Sequence, residues 1–320
     1  MRFIQTLCIL ALSLLLAACG GDDDASPATS SVAASTTIDK VAQSNGFNAL
    51  LAAAVKAELS TTLADPSQRL TVFAPTDAAF TQLASRLGFD SATAMVQALP
   101  ATTLKNILSY HVLQGGKQAA DLSAPASSSQ PTLYSFGGQP ATLAVAASGS
   151  SLRLTDAVQT SATVTTPNVA ASNGVIHVID KVLVPPGVLN AVQMARANPE
   201  LSSLVAALTA ANLQNTLSGA GPFTVFAPTN AAFAQAPAGL STQQLTTVLT
   251  YHVLGSQVLA AQIPFGTPVQ TLSGQSIAIA SGTPPTIVDT TATPARITAT
   301  DIRASNGVIH LIDKVLIPAL

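Results

Sequence analysis

The sequence predicts an α+β protein in which one domain is used twice. Three observations carry this: three sequence blocks recur in one order, helical apolar spacing opens each copy, and β-prone runs with tight turns close it. A length of 320 residues favours two domains, each large enough to hold its own core.

Each copy opens on an amphipathic helix. Phe47, Leu50, Leu51, Ala54 and Val55 form its apolar face in copy one, and Leu201, Leu204, Val205 and Leu208 in copy two. The first block, Thr71-Val-Phe-Ala-Pro-Thr-Asp-Ala-Ala-Phe80, recurs as Thr224-Val-Phe-Ala-Pro-Thr-Asn-Ala-Ala-Phe233. Its apolar β-prone start stops at Pro75 or Pro228, and Thr76 or Thr229 can then cap a helix. Phe80, Leu83 and Leu87 keep helical spacing in copy one, whereas Pro237 cuts the second helix short.

The second block runs from Leu104 to Leu113 and again from Leu245 to Leu254. Leu245, Val248 and Leu249 share a helical face, and Ser241 with Gln244 makes a capping box. The helix is expected to give way to an extended Tyr-His-Val-Leu. Short β-prone runs follow, joined by turns such as Gly137-Gly138 and Ser273-Gly274. The third block begins at the turn signals Asn173-Gly174 and Asn306-Gly307. The run Val175 to Val184 is apolar on both faces, which predicts an interior strand with His177 and Asp180 as exceptions. Thr224 lies 153 residues after Thr71, His252 141 after His111 and His310 133 after His177, so copy two has shorter connections.

The N-terminus reads as an export signal. One positive charge at Arg2 precedes an apolar run to Leu16, too short and wrongly flanked to span a membrane. Leu16-Ala17-Ala18-Cys19 resembles a bacterial lipobox, which implies lipidation of Cys19 and removal of residues 1–18. Residues 19–36, with Asp22-Asp23-Asp24 and a Ser/Thr/Ala-rich stretch, then read as a flexible tether. On this reading the mature chain is anchored in the cell envelope, at the outer membrane on its periplasmic or surface face. The other cysteine, Cys8, lies in the signal, so no internal disulfide is expected. Only 9% of residues are charged and the net charge is −2, which excludes a basic nucleic-acid surface.

The three blocks resemble the signatures of the fasciclin family, in the family's order and twice over. The resemblance implies two tandem fasciclin-like domains, residues 37–185 and 186–320, each a β-wedge or sandwich with helices packed around it. It also implies adhesion to a protein, matrix or envelope component, usually without enzymatic activity and with no cofactor. Asn230 in place of Asp77 is a mild departure, since either side chain suits a first helical turn.

All four histidines fall in the repeated blocks. Tyr110-His111 and Tyr251-His252 match a pair associated with adhesion in the family, which makes them candidate partner contacts. The alternative is a half-buried imidazole holding a helix-to-strand junction. His177 with Asp180 and His310 with Asp313 stand three apart, on opposite faces of an extended strand, and are read as structural. No Gly-x-Ser-x-Gly, metal-ligand spacing or phosphate loop occurs, so no catalytic or metal residue is assigned. A mean hydropathy of +0.44 motivates one alternative function, carriage of a hydrophobic small molecule in a domain cleft. The stiff junction Val184-Pro185-Pro186-Gly187 predicts a limited range of domain orientations.

Overall fold

The computed structural model describes residues 36–148, 151–237 and 239–320. The expected signal peptide, the lipidation site Cys19 and the tether as far as residue 35 lie outside the described residues. Among the described residues no helix is long and apolar enough to cross a membrane.

Both copies are α+β, with helices leading and strands following. In copy one, helices Ile38–Ser44, Asn48–Lys56 and Ser60–Ala64 precede strand β1, Leu70–Pro75. Helices Asp77–Leu87, Ala92–Ala98 and Ala101–Tyr110 then lead to β2, Val112–Gln114. After a short helix, Ala119–Ser123, come β3 (Ser127–Phe136), β4 (Gln139–Ser148), β5 (Ser151–Thr155), β6 (Ser161–Ala171) and β7 (Gly174–Ile179). The seven strands close into a barrel because β1, buried at every position, pairs in parallel with β7 and antiparallel with β2.

Copy two repeats the order with helices Ala191–Ala197, Ser202–Ala210 and Gln214–Ser218 before β8, Phe223–Pro228. Helices Asn230–Phe233 and Thr242–Tyr251 precede β9 (Val253–Leu254). The remaining strands are β10 (Pro268–Gln270), β11 (Ser276–Ala280), β12 (Thr286–Val288), β13 (Ala295–Ala304) and β14 (Gly307–Ile312). This seven-stranded sheet stays open, since β9 and β10 do not pair.

Local chemistry explains the shared elements. Thr76 and Thr229 accept the N–H of Ala79 and Ala232, capping the helices that start at Asp77 and Asn230. The helix at Asp77 runs for 11 residues but its counterpart at Asn230 for 4, as Pro237 requires. Asp77 and Asn230 also accept the N–H of Ala49 and Ser203, capping a second helix each, so the Asp-to-Asn departure keeps the acceptor that matters. The capping box of Ser241 and Gln244 is present. The β3–β4 hairpin turns at Gly137-Gly138, both with positive φ, and β10–β11 turns at Ser273-Gly274.

Asn173 and Asn306 are more than turn residues. Asn173 donates to the carbonyls of Leu63 and Asp65 at 2.9 and 3.0 Å and accepts the N–H of Ile38 at 2.9 Å. Asn306 does the same with Leu217, Gly219 and Ala191. The glycine that follows lets β7 and β14 approach their parallel neighbours closely. A Cβ on Gly174 would lie 2.0 Å from the Leu70 carbonyl oxygen, and one on Gly307 2.1 Å from that of Phe223.

Three expectations change. Val55 is 68% exposed, because the buried stripe runs through Phe47, Leu50, Ala53, Ala54 and Ala57. The block-two helices continue through Tyr110 and Tyr251, and extension begins only at Val112 and Val253. The block-three strands end at Ile179 and Ile312, short of the expected Val184 and its counterpart. Beyond them the backbone donors turn to side chains, as described below.

Each sheet wraps its own apolar cluster, with Phe73, Leu113, Leu143, Leu154 and Ile179 in copy one and Phe226, Leu254, Ile279 and Ile312 in copy two. Each such side chain stabilises by roughly 2 kcal/mol when fully buried. The helices share a third cluster that spans both copies, from Ile38 to Leu311. Polar links also cross the junction. Tyr134 donates to the Pro186 carbonyl at 3.0 Å and the Gly187 N–H to that of Arg303 at 2.8 Å. Asn198 donates to Val158 at 2.9 Å, Arg196 donates to Leu87 at 3.1 Å, and the Arg303 guanidinium lies 5.6 Å from the Phe136 ring centre. The described residues of the two copies therefore pack as one compact unit.

Candidate functional site

The Tyr-His pairs sit where the helices Ala101–Tyr110 and Thr242–Tyr251 end. Tyr110 and Tyr251 point into the apolar cluster that each sheet wraps and donate to the carbonyls of Thr142 and Ser276 at 2.9 and 3.1 Å. Burial, then the Asp156 charge, raises the Tyr110 phenol pKa above its ordinary value, and burial and Asp289 do the same for Tyr251. His111 Nδ1 donates to the Ile107 carbonyl at 2.7 Å, and its Nε2 accepts the Leu183 N–H at 2.9 Å. His252 repeats this with Val248 at 2.7 Å and Leu316 at 2.8 Å. An acceptor Nε2 requires a neutral imidazole. Burial accordingly pushes both histidines down to about 4, against the pull of the Ile107 and Val248 carbonyls.

All four of these residues are 1% exposed. This departs from the expectation of a contact surface: Tyr110, His111, Tyr251 and His252 present almost no area for a partner to touch. The pairs instead hold the segment after the last strand, Lys181–Val184 or Lys314–Ile317. A carboxylate holds its other end. Asp156 accepts the Val184 N–H at 3.0 Å and both Thr160 donors at 3.0 and 3.1 Å, and pairs with Lys181. Asp289 accepts the Ile317 N–H at 2.9 Å and the Thr291 donors at 2.6 and 2.9 Å, and pairs with Lys314 at 3.0 Å. Burial would raise the Asp289 carboxyl, but its hydrogen bonds from Thr291, Ile317 and Lys314 hold it below the usual carboxylate range.

His177 and His310 are committed just as fully. Their Nε2 atoms donate to the carbonyls of Lys117 and Val258 at 3.0 and 2.9 Å. Their Nδ1 atoms accept the N–H of Asn168 and Asp301 at 3.2 and 3.3 Å, residues turned inward by positive φ at bulges in β6 and β13. Burial lowers both pKa values. Asp180 and Asp313 are exposed, and accept the N–H of Thr163 and Arg296, both at 2.7 Å. His177 is not bonded to Asp180, nor His310 to Asp313, and each of these residues ties one segment to its neighbour. Among the described residues no group of three His, Cys, Asp or Glu is placed to hold a metal.

The family model for the fasciclin domain matches residues 45–185 and again 199–318. The chain belongs to the fasciclin family. Among curated relatives, protein sll1483 of Synechocystis is 41% identical over 137 residues, which cover 40% of this chain and 73% of that protein. Human periostin is 36% identical over 157 residues, 47% of this chain but 18% of periostin. Immunogenic protein MPB70 of Mycobacterium bovis is 37% identical over 135 residues, 39% of this chain and 66% of MPB70. Among solved structures, a fasciclin domain pair from the insect cell adhesion molecule fasciclin I matches 87% of this chain and 95% of its own, with 17% identity and a TM-score of 0.42.

The Asp-Lys pairs of the two fasciclin domains escaped the reading of repeated blocks. Lys181 and Lys314 lie in the third block, but Asp156 and Asp289 share no flanking motif. The available signal was an Asp directly after a β-prone run in each copy, Leu152-Arg-Leu-Thr-Asp156 and Thr286-Ile-Val-Asp289. A second feature depends on both fasciclin domains together. A cleft of about 460 Å³ opens between the helix Asp77–Leu87, the end of β5 and residues Ala197–Glu200. Its lining is mostly polar and charged, which does not suit a hydrophobic cargo. The most apolar cavities, beside Leu208 and beside Leu133, measure about 10 and 20 Å³, room for a single water each.

Proposed function

We propose that this fasciclin protein is a non-catalytic adhesion protein of the cell envelope, binding a protein or matrix component and held to the membrane by acylated Cys19. The observation that carries the non-catalytic part is the commitment of all four histidines: each is buried, with both ring nitrogens bonded to backbone. A general base needs a free nitrogen within reach of substrate. The two fully buried carboxylates, Asp156 and Asp289, are neutralised by lysines. Family membership supports adhesion, and the contacts that join the two domains support a partner surface formed across both. The carrier alternative draws no support from the most apolar cavities among the described residues, which measure only about 10 and 20 Å³.

Two measurements test the proposal. Full chain immobilised on beads is incubated with envelope and matrix fractions; saturable capture of a protein or polymer is expected. No capture from any fraction, together with a small molecule co-purifying with the protein, would sink it. For the anchor, Cys19→Ala is expected to move the chain from the membrane to the soluble fraction; a variant still in the membrane refutes lipidation at that residue.

A further inference from the structure

The cleft at the domain junction is lined from both domains. Copy one supplies Arg86 from the last turn of a helix and Arg153 from β5, while copy two closes the far wall with Ala197, Pro199 and Glu200. Its volume of about 460 Å³ falls within the range of small-ligand sites, about 300–1,000 Å³.

With Lys181 paired to Asp156, the charges lining the cleft balance, two guanidiniums against two carboxylates, but no ion pair joins them. Arg86 and Arg153 are exposed and form no ion pair or hydrogen bond among the described residues. Asp180 and Glu200 line the same cleft without pairing to either arginine, and Lys181 is engaged by Asp156. Two guanidiniums on separate elements thus present unused planar forks, a geometry that matches an oxyanion such as a carboxylate. Around them Gln82, Gln159, Ser161, Asp180 and Glu200 offer the donors and acceptors that hydroxyl groups need. Gln159 reaches this position with φ at +60°, a conformation that a non-glycine residue adopts only when its surroundings impose it. No aromatic side chain lines the cleft, so a base or flat ring has nothing to stack on. A 3₁₀ turn, Pro199–Leu201, starts at the cleft, but Pro199 has no N–H and those of Glu200 and Leu201 are taken by Asn198, so none is left for a phosphate.

We infer that this cleft binds a carboxylate-bearing carbohydrate, a uronate segment of an acidic polysaccharide, with Arg86 and Arg153 taking the carboxylates and the polar wall the hydroxyls. The choice of a polymer over a free sugar acid rests on the matrix-binding reading above. The site exists once. Copy two has neither arginine: its helix stops after four residues, and β12 is the three-residue Thr-Ile-Val.

Calorimetric titration of the full chain with trigalacturonate tests this, with neutral maltotriose in parallel. One saturable site for trigalacturonate is expected, with maltotriose at least about tenfold weaker. Arg86→Ala and Arg153→Ala should each weaken trigalacturonate about tenfold while leaving the melting temperature unchanged, since neither side chain has a partner to lose. Absence of trigalacturonate binding, equal binding of maltotriose, or arginine variants that bind like the parent overturns the inference. Capture of envelope material without trigalacturonate binding removes the cleft site and leaves the adhesion reading standing. Trigalacturonate binding by a protein that captures nothing does the reverse.

Discussion

Acid should weaken this protein over a window set by its buried histidines. At neutral pH the His111 ring donates through Nδ1 and accepts the Leu183 N–H through Nε2. A second proton on Nε2 would face a donor with a donor, strand the Leu183 N–H and bury a charge. His252 stands in the same arrangement towards Leu316. Both pKa values fall from 6.5 to about 4 on folding. A group held down in the native state stabilises it fully above its unfolded pKa, here 6.5, and loses that contribution as pH falls towards the folded value. At 1.36 kcal/mol per pH unit the loss is about 3 kcal/mol for each ring, reached near pH 4. Two rings together rival the whole stability of an ordinary domain, about 5–15 kcal/mol. His177 and His310, also lowered by burial, act in the same direction.

The assay is urea unfolding followed by circular dichroism between pH 8 and pH 4, since the chain has no tryptophan to report by fluorescence. Stability is expected to be level above pH 7 and to fall steeply below 6.5. His252→Ala should be less stable than the parent at pH 7.5, with the gap closing as pH approaches 4. Stability that stays flat from pH 7 to 4.5, or imidazole NMR signals titrating near 6.5, would refute the reasoning.

Three further substitutions probe the fold. Gly174→Ala places a methyl 2.0 Å from the Leu70 carbonyl oxygen and must part β1 from β7, so a loss above about 3 kcal/mol is expected in thermal unfolding. Asn306→Ala leaves the carbonyls of Leu217 and Gly219 and the Ala191 N–H without their partner, and should cost about 2–4 kcal/mol in urea unfolding. Val55→Gln, at a site 68% exposed, should change stability by less than about 0.5 kcal/mol; a larger loss would mean that the Asn48–Lys56 helix buries a different face.

Periodic and punctuated features were legible in the sequence. The threonine caps, the Ser241–Gln244 box, the early end of the helix before Pro237 and the hairpin turns follow from side-chain chemistry within a few residues. What escaped depends on partners far along the chain. The strand after Asn173 stops at Ile179 because the donors of Leu183 and Val184 go to His111 and Asp156, 72 and 28 residues away. Apolar alternation continues through that segment, so local pattern alone extended the strand. The Tyr-His pair left two readings open for a related reason. Local pattern allows either a partner contact or a buried junction residue, and the distant donors of Leu183 and Leu316 decide for the second.

The two copies show why duplication left one cleft and not two. The histidine clasp recurs almost atom for atom, with the same ring nitrogens meeting the same positions at distances that differ by 0.1 Å or less. Such a clasp fixes the segment after the last strand, and in copy one that segment runs straight into Pro185-Pro186-Gly187. The Gly187 N–H then meets Arg303, and a Cβ there would lie 2.1 Å from the Phe136 ring. Folding of copy one thereby sets where copy two begins, which brings Ala197–Glu200 opposite Arg86 and Arg153. Copy two retains the clasp because its own core needs it, yet lacks the long helix that carries Arg86. The repeated residues thus maintain each fold, while the two arginines that face the cleft belong to copy one alone.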